Sequence, residues 1–158
     1  MKSFIATFLL ATSLILVSQT AQSQNRGFGL GVAVGGPDGL SYKSFVSETT
    51  AFAGLVSFSI SDNRSTFYTH LDYLIHKYYE DLEWDVGYLH YYYGGGVGFF
   101  WRDHAPDDVV SIRLPAGLGF NFTDVPFDIY IELAPTVDVT PEFNLYFNGN
   151  MGFRYFFN

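Results

Sequence analysis

The stretch VVSIRLPAGLGFNF, residues 109–122, alternates between two kinds of residue over most of its length. From residue 110 onward, the even positions are apolar, and the odd positions are small or polar and include Arg113. Successive side chains of a β-strand point to opposite faces, so this period of two predicts a strand with one apolar and one polar face. The same division recurs in residues 127–139 and 143–157, and it predicts an all-β protein.

Turn-forming residues divide the chain between these alternating segments. Clusters rich in Gly, Pro, Asp, Asn, Ser and Glu recur at seven places, and seven turns separate eight antiparallel strands. The clusters are residues 35–39, 47–50, 61–65, 80–87, 102–108, 123–126 and 140–142. The predicted strands are residues 26–35, 40–46, 51–60, 66–79, 88–101, 109–122, 127–139 and 143–157.

The N-terminal segment, residues 1–23, has the three parts of a secretory signal peptide. Lys2 supplies the positive charge, FIATFLLATSLILV the apolar core, and AQS a small-residue cleavage site before Gln24. About 20 apolar residues are needed for a transmembrane helix, and this core is shorter. The chain is therefore predicted to be exported, with one barrel domain over residues 24–158; the alternative is an N-terminal membrane anchor.

The composition narrows the class of protein. Aromatic residues make up 20% of the chain and charged residues only 15%, whereas soluble domains carry about 25% charged residues. The chain contains no cysteine, so the exported domain has no disulfide framework. The net charge is −8, and removing Lys2 with the signal makes it −9. This acidity excludes nucleic acid as a partner, because phosphates bind to basic surfaces.

The narrow interior of an eight-stranded barrel decides which face points outward. Such an interior is filled by side chains alone, so bulky apolar residues fit better outside and glycines inside. We therefore predict an up-and-down transmembrane β-barrel with its apolar face against lipid. Aromatic residues near strand ends, such as Tyr91–Tyr93 and Trp101, then form interfacial girdles. Pro115 and Pro135 lie inside predicted strands, and each predicts a bulge or an early strand end.

The inward face carries an unusual set of polar residues. In FYTHLDYLIHKYY, residues 67–79, three polar side chains share one parity with Tyr68 and Leu74. Charges in a narrow interior must pair and hydrogen-bond, so we predict a structural network rather than a ligand site. Its predicted members are Lys43, His70, Asp72, His76, Arg113, Asp128, Glu132 and Arg154.

Three chemical alternatives have weaker support. His70 and Asp72 lie two apart on one strand face, as in a catalytic pair, but no motif supplies their nucleophile. His104 lies in the acidic turn 103–108, but the spacing does not match known metal sites and favours a solvated turn. The glycine-rich residues 29–36 precede no βα unit, so they are not a phosphate loop. We predict no catalytic, cofactor-binding or metal-binding residue, and no enzyme.

Several motifs in order resemble those of known membrane barrels. They are GLGVAVGGPDGLSYK (29–43), HLDYLIH (70–76), YYGGGVGFF (92–100), IRLPAGLGF (112–120), IYIELAPTVDV (129–139) and GFRYFF (152–157). The chain resembles the small eight-stranded outer-membrane barrels of Gram-negative-type bacteria, which share the architecture of the OmpA transmembrane domain and OmpX. It is most similar to a family of short barrels of uncharacterised function. One departure is Asn158, which follows Phe157 where such barrels end on an aromatic residue.

The resemblance implies a bacterial outer-membrane location with both termini in the periplasm. It also implies contact with outer-membrane lipid, including lipopolysaccharide, and with the barrel-assembly machinery during insertion. The expected protein is a monomer with a filled lumen, no large pore and a structural or membrane-integrity role. Two alternatives stay open: a soluble periplasmic lipocalin-like binder of apolar ligands, and an outer-membrane lipid-modifying enzyme.

Overall fold

The computed structural model describes residues 27–61, 64–103 and 107–157. Within these ranges the chain forms nine β-strands and no helix. They are β1 (Phe28–Gly35), β2 (Gly39–Phe45), β3 (Thr50–Ser61), β4 (Arg64–Trp84), β5 (Gly87–Arg102), β6 (Val109–Arg113), β7 (Ala116–Phe122), β8 (Phe127–Thr140) and β9 (Asn144–Phe157). The predicted signal peptide, residues 1–23, lies outside the described residues.

All strand pairings are antiparallel, and the sheet closes in a ring. Apart from β6 and β7, which do not pair with each other, each strand pairs with its sequence neighbours, and β1 also pairs with β9 through Phe28 and Phe157. The two ends of the described chain therefore lie at the same end of the ring, which we call the terminal end. The opposite end carries the β1–β2, β3–β4, β5–β6 and β8–β9 connections.

β6 and β7 share one position in the ring. Both lie between β5 and β8, and the register is continuous from Arg113 opposite Thr136 to Ala116 opposite Leu133. Between these two pairs the ladder is interrupted at Leu114 and Pro115, because proline has no N–H to donate. The early strand end predicted at Pro115 is confirmed. The ring accordingly has eight strand positions.

Two predicted boundaries are wrong. Pro135 neither ends β8 nor forms a bulge; its carbonyl accepts a 3.0 Å hydrogen bond from the Leu114 amide, so its missing N–H falls at the existing β6–β7 interruption. The turn predicted over residues 80–87 is also too long. β4 continues to Trp84, although its pairing with β5 shifts in register between Tyr78 and Glu83. Trp84 pairs with Gly87, and a two-residue connection closes the hairpin. Acidic composition indicated a loop there, but a tight turn lets both strands pair up to it.

The predicted parity of the strands is confirmed. The apolar side chains of the regular strands point outward, and the polar set points into the ring. In β8, for example, Ile131 is 55% exposed, whereas the neighbouring Glu132 is 9% exposed. Among the described residues, no helix is long and apolar enough to cross a membrane.

Candidate functional site

The ring interior holds all eight polar residues singled out from the sequence, and we call them the interior network. None is more than 9% exposed. They come from five strands, because each strand contributes every second side chain to the interior. The members are Lys43 on β2, His70, Asp72 and His76 on β4, Arg113 on β6, Asp128 and Glu132 on β8, and Arg154 on β9.

Arg113 is the centre of a first cluster. Its Nε donates to Asp72 Oδ1 at 3.2 Å, and its Nη2 donates to Glu132 Oε1 at 3.1 Å. Two tyrosines complete the set: Arg113 Nη1 donates to the Tyr68 hydroxyl at 3.1 Å, and the Tyr92 hydroxyl donates to Glu132 Oε2 at 3.1 Å. One guanidinium therefore bridges two buried carboxylates, an arrangement that suits its planar fork of donors.

Inward-facing glycines on β5 make room for this cluster. Gly96 pairs with Asp72, and a Cβ at residue 96 would meet the Asp72 Oδ1 atom. Gly98 pairs with Ser111, and a Cβ there would meet the Ser111 hydroxyl. The absence of side chains at Gly96 and Gly98 allows Arg113 to reach Asp72 across β5.

His70 adds to the first cluster a histidine in contact with a carboxylate and a hydroxyl, an arrangement that also occurs in catalytic sites. Its Nε2 lies 3.5 Å from Asp72 Oδ2, and its Nδ1 lies 3.3 Å from the Tyr68 hydroxyl. His70, Asp72 and Glu132 also offer ligand atoms within 4.8 Å of one another, a spacing that a metal ion could use. Arg113 already pairs with both carboxylates, so a cation would have to displace its guanidinium. The geometry favours ion pairing.

A second cluster surrounds Asp128. Arg154 donates to both of its oxygens, through Nε at 3.0 Å and Nη2 at 3.1 Å. The Lys43 ammonium lies farther away, 3.7 Å from Asp128 Oδ2. The Arg154 guanidinium also lies 4.0 Å from the centre of the Tyr130 ring, and the Tyr130 hydroxyl donates to Ser41 Oγ at 2.9 Å. This cluster has two cations for one carboxylate, whereas the first has one cation for two.

His76 is buried but belongs to neither cluster. Both ring nitrogens lack a hydrogen-bond partner among the described residues. Its neighbours are instead the rings of Phe45, His90 and Tyr92, at centroid distances of 5.1, 5.4 and 5.4 Å. The structure therefore places His76 in an aromatic cluster between β2, β4 and β5.

Sequence reasoning missed part of the interior and misplaced one residue. Tyr92, predicted to belong to an interfacial girdle, is 2% exposed and points inward, because it shares the parity of His90 on β5. Parity alone could have identified it. Asn121, which contacts His90 Nδ1 at 2.7 Å, was assigned inward but not recognised as a network member. In the acidic turn 103–108, His104 lies outside the described residues.

Comparison with known proteins assigns no family to this arrangement. No protein-family model, no curated protein and no solved structure matches the chain. What the protein does is therefore inferred from its own wall and interior.

Proposed function

We propose that the protein is an eight-stranded transmembrane β-barrel of the bacterial outer membrane, with a structural or membrane-integrity role. The observation that carries this proposal is the inverted distribution of polarity. Outward-facing Leu118, Ile131 and Phe147 are 48%, 55% and 64% exposed, whereas Arg113 and Asp128 are 0% exposed. In water, the apolar side chains of the wall would stay exposed and would contribute no hydrophobic stabilisation, and burying the charges would still cost free energy.

A lipid environment resolves both costs. Contiguous apolar surface much larger than a few hundred Å² is rare on soluble monomers and marks a partner or a membrane. A closed sheet satisfies its backbone hydrogen bonds internally, which is the requirement for strands in hydrocarbon. The resemblance to small outer-membrane barrels points to the same location, with export by the N-terminal signal, the assembly machinery as a transient partner, and outer-membrane lipid as a permanent one.

The interior supports a filled lumen rather than a wide pore or a ligand cavity. Arg113 and Arg154 each pair with carboxylates inside the ring, and aromatic rings pack beside them. An eight-stranded ring leaves room for little more than such side chains. A lipocalin-like carrier of apolar ligands would need an apolar interior. An enzyme would need side chains that are free to act on a substrate. The buried Tyr68, His70 and Asp72 already bind Arg113 or one another.

The first test is the gel mobility of detergent-extracted protein, run unboiled and boiled. We expect a heat-dependent shift and recovery of the protein with the outer membrane, because a closed barrel stays folded in cold detergent. Recovery in the soluble periplasmic fraction, without a shift, would refute the proposal.

A matched pair of variants sharpens this test. Ile131→Arg places a charge on the outward wall, where an arginine at the bilayer midplane costs about 2–4 kcal/mol. Glu142→Arg makes a charge change in the exposed β8–β9 connection. We expect Ile131→Arg to lower the folded fraction in vesicles and Glu142→Arg to leave it unchanged. If Ile131→Arg left the folded fraction unchanged, the wall would face water.

A further inference from the structure

The β1–β2 hairpin is the shortest part of the wall. β1 and β2 have 8 and 7 residues, whereas the flanking β9 and β3 have 14 and 12. A tilted strand needs about 9–11 residues to cross the hydrocarbon core of a bilayer. Both short strands reach the terminal end, where Phe28 pairs with Ser44 and Phe157. The length that they lack is therefore missing at the opposite end.

The missing length leaves an opening in the wall. Pairing with β2 reaches Val56 on β3, and pairing with β1 reaches Asn150 on β9. In the described part of the chain, no strand pairs with residues 58–61 on the β2 side or with 144–148 on the β1 side. We call this opening the wall gap. It is two strand positions wide, and a strand edge with backbone N–H and C=O groups borders it on each side.

The wall is apolar elsewhere at the height of the wall gap. Phe58 and Phe147, on the two bordering strands, are 62% and 64% exposed, and Ile112 on the far side of the ring is 51% exposed. All three point outward, and each lies three residues from the end of its strand that is farther from the chain termini. The apolar band therefore continues beside and opposite the wall gap.

The base of the wall gap is polar. The turn between β1 and β2 consists of Gly36, Pro37 and Asp38, and Asp38 is exposed. Hydrocarbon offers hydrogen bonds neither to a carboxylate nor to the groups of a strand edge. Three polar features of the wall therefore lie at one place: the Asp38 side chain and the two edges.

We propose that hydrated lipid headgroups fill the wall gap, so that the leaflet on this side of the bilayer is thinned beside the β1–β2 hairpin. The proposal rests on the membrane location proposed above. A wall segment shorter than the hydrocarbon core is accommodated by local thinning of the bilayer. Headgroups and their water both donate and accept hydrogen bonds, so they satisfy the N–H and the C=O groups of the edges.

A strand from another protein fits the wall gap less well. One added strand pairs with only one of the two edges, because the opening is two positions wide. It also leaves the Asp38 carboxylate at the base without a hydrogen-bond donor. Headgroups and water reach both edges and Asp38 together.

The chain contains no cysteine, so single thiols report on chosen positions of the wall. Phe58→Cys, Phe147→Cys and Ile112→Cys are each labelled with bimane in phosphatidylcholine vesicles that contain the folded full-length protein. Two lipids quench the fluorescence, one with a nitroxide on its headgroup and one with a nitroxide near the end of its acyl chain. We expect the headgroup nitroxide to quench residues 58 and 147 several-fold more strongly than the chain nitroxide. For residue 112 we expect the reverse.

Three outcomes would overturn the proposal. Stronger quenching by the chain nitroxide at all three positions would show that hydrocarbon fills the wall gap. Weak quenching by both lipids at residues 58 and 147 would show that another protein chain covers it. Stronger quenching by the headgroup nitroxide at residue 112 as well would show that the whole upper wall lies outside the hydrocarbon, without local thinning.

A matched pair of variants tests the carboxylate at the base. Asp38→Leu should lower the ratio of headgroup to chain quenching at Phe58→Cys at least two-fold. Glu142→Leu removes an exposed carboxylate from the β8–β9 connection and should leave that ratio unchanged. Equal ratios in the two variants would refute the contact between Asp38 and the headgroups.

The experiment separates this proposal from the membrane location on which it rests. Failure of the protein to float with the vesicles, or to shift in the gel, would refute both. Insertion with a gel shift, but with stronger chain quenching at residues 58 and 147, would refute the thinned leaflet alone.

Discussion

Gly96 lies opposite Asp72 in the β4–β5 ladder, and its missing side chain leaves the space that the Asp72 carboxylate occupies. A Cβ at this glycine would meet both Asp72 Oδ1 and the Leu71 carbonyl oxygen. The carboxylate in turn accepts from Arg113, which lies on the far side of β5. A residue without a side chain therefore determines whether the first cluster can form.

Gly96→Ala should destabilise the folded protein. The added methyl group forces the Asp72 carboxylate or the backbone to move, and overpacking of this kind costs about 1–3 kcal/mol. The measurement is the free energy of urea unfolding in vesicles. Gly95→Ala is the control, since that glycine faces outward with open space, and its effect should stay within about 0.5 kcal/mol. Similar losses in both variants would contradict this explanation.

Arg113→Met should be among the most damaging single changes. It leaves Asp72 and Glu132 buried without their cation, and breaking a buried ion pair from one side costs about 3–5 kcal/mol. Arg102→Met removes an arginine that is exposed and should cost well under that amount. Adding Asp72→Asn and Glu132→Gln to Arg113→Met should recover part of the lost free energy of unfolding. A triple variant no better than Arg113→Met would argue against uncompensated charge as the cause.

The sequence predicted which side chains enter the ring but not which of them meet. Alternation requires only a period of two, so Arg113 and Asp72 could each be placed inward from local residues. Their contact depends on the register of two strands that are not neighbours and on the absence of a side chain at Gly96. The pairing of Lys43 with Asp128 crosses the interior and has no local signal.

The predicted strand limits failed where composition and pairing disagree. Residues 80–84 contain three acidic side chains, which favoured a loop. The ladder with β5 shifts in register between Tyr78 and Glu83, but it then resumes and reaches Trp84, because pairing depends on backbone groups. The short length of β1 and β2 had a signal in the early turn at residues 36–38. The limits of β3 and β9, predicted as 51–60 and 143–157, agree with the structure to within one residue.

Asp128→Asn should destabilise the second cluster more than Lys43→Met does. The Asp128 carboxylate is held by two short hydrogen bonds from Arg154 and by a longer 3.7 Å ion pair with Lys43. Its neutralisation leaves two buried cations uncompensated, at about 3–5 kcal/mol. Lys43→Met keeps the pair with Arg154 and removes only the excess cation, so its cost should be smaller. Unfolding free energies in the reverse order would show that Lys43 is the main partner of Asp128.

The two inward histidines on β4 should respond differently to the same substitution. His76 has no hydrogen-bond partner for its ring among the described residues and packs against Phe45 and Tyr92, so His76→Phe removes an unsatisfied polar group. This change should leave the free energy of unfolding unchanged or raise it by about 1 kcal/mol, since such a group costs about 1–3 kcal/mol.

His70→Phe is the comparison, because His70 contacts the Tyr68 hydroxyl and the Asp72 carboxylate. Its replacement should lower the free energy of unfolding by about 1–3 kcal/mol, since a buried polar partner is lost. Urea titrations of both variants in the same vesicles measure the difference directly. If His76→Phe proved as destabilising as His70→Phe, then His76 would have a polar partner that the described residues do not supply, and the aromatic cluster would not explain its burial.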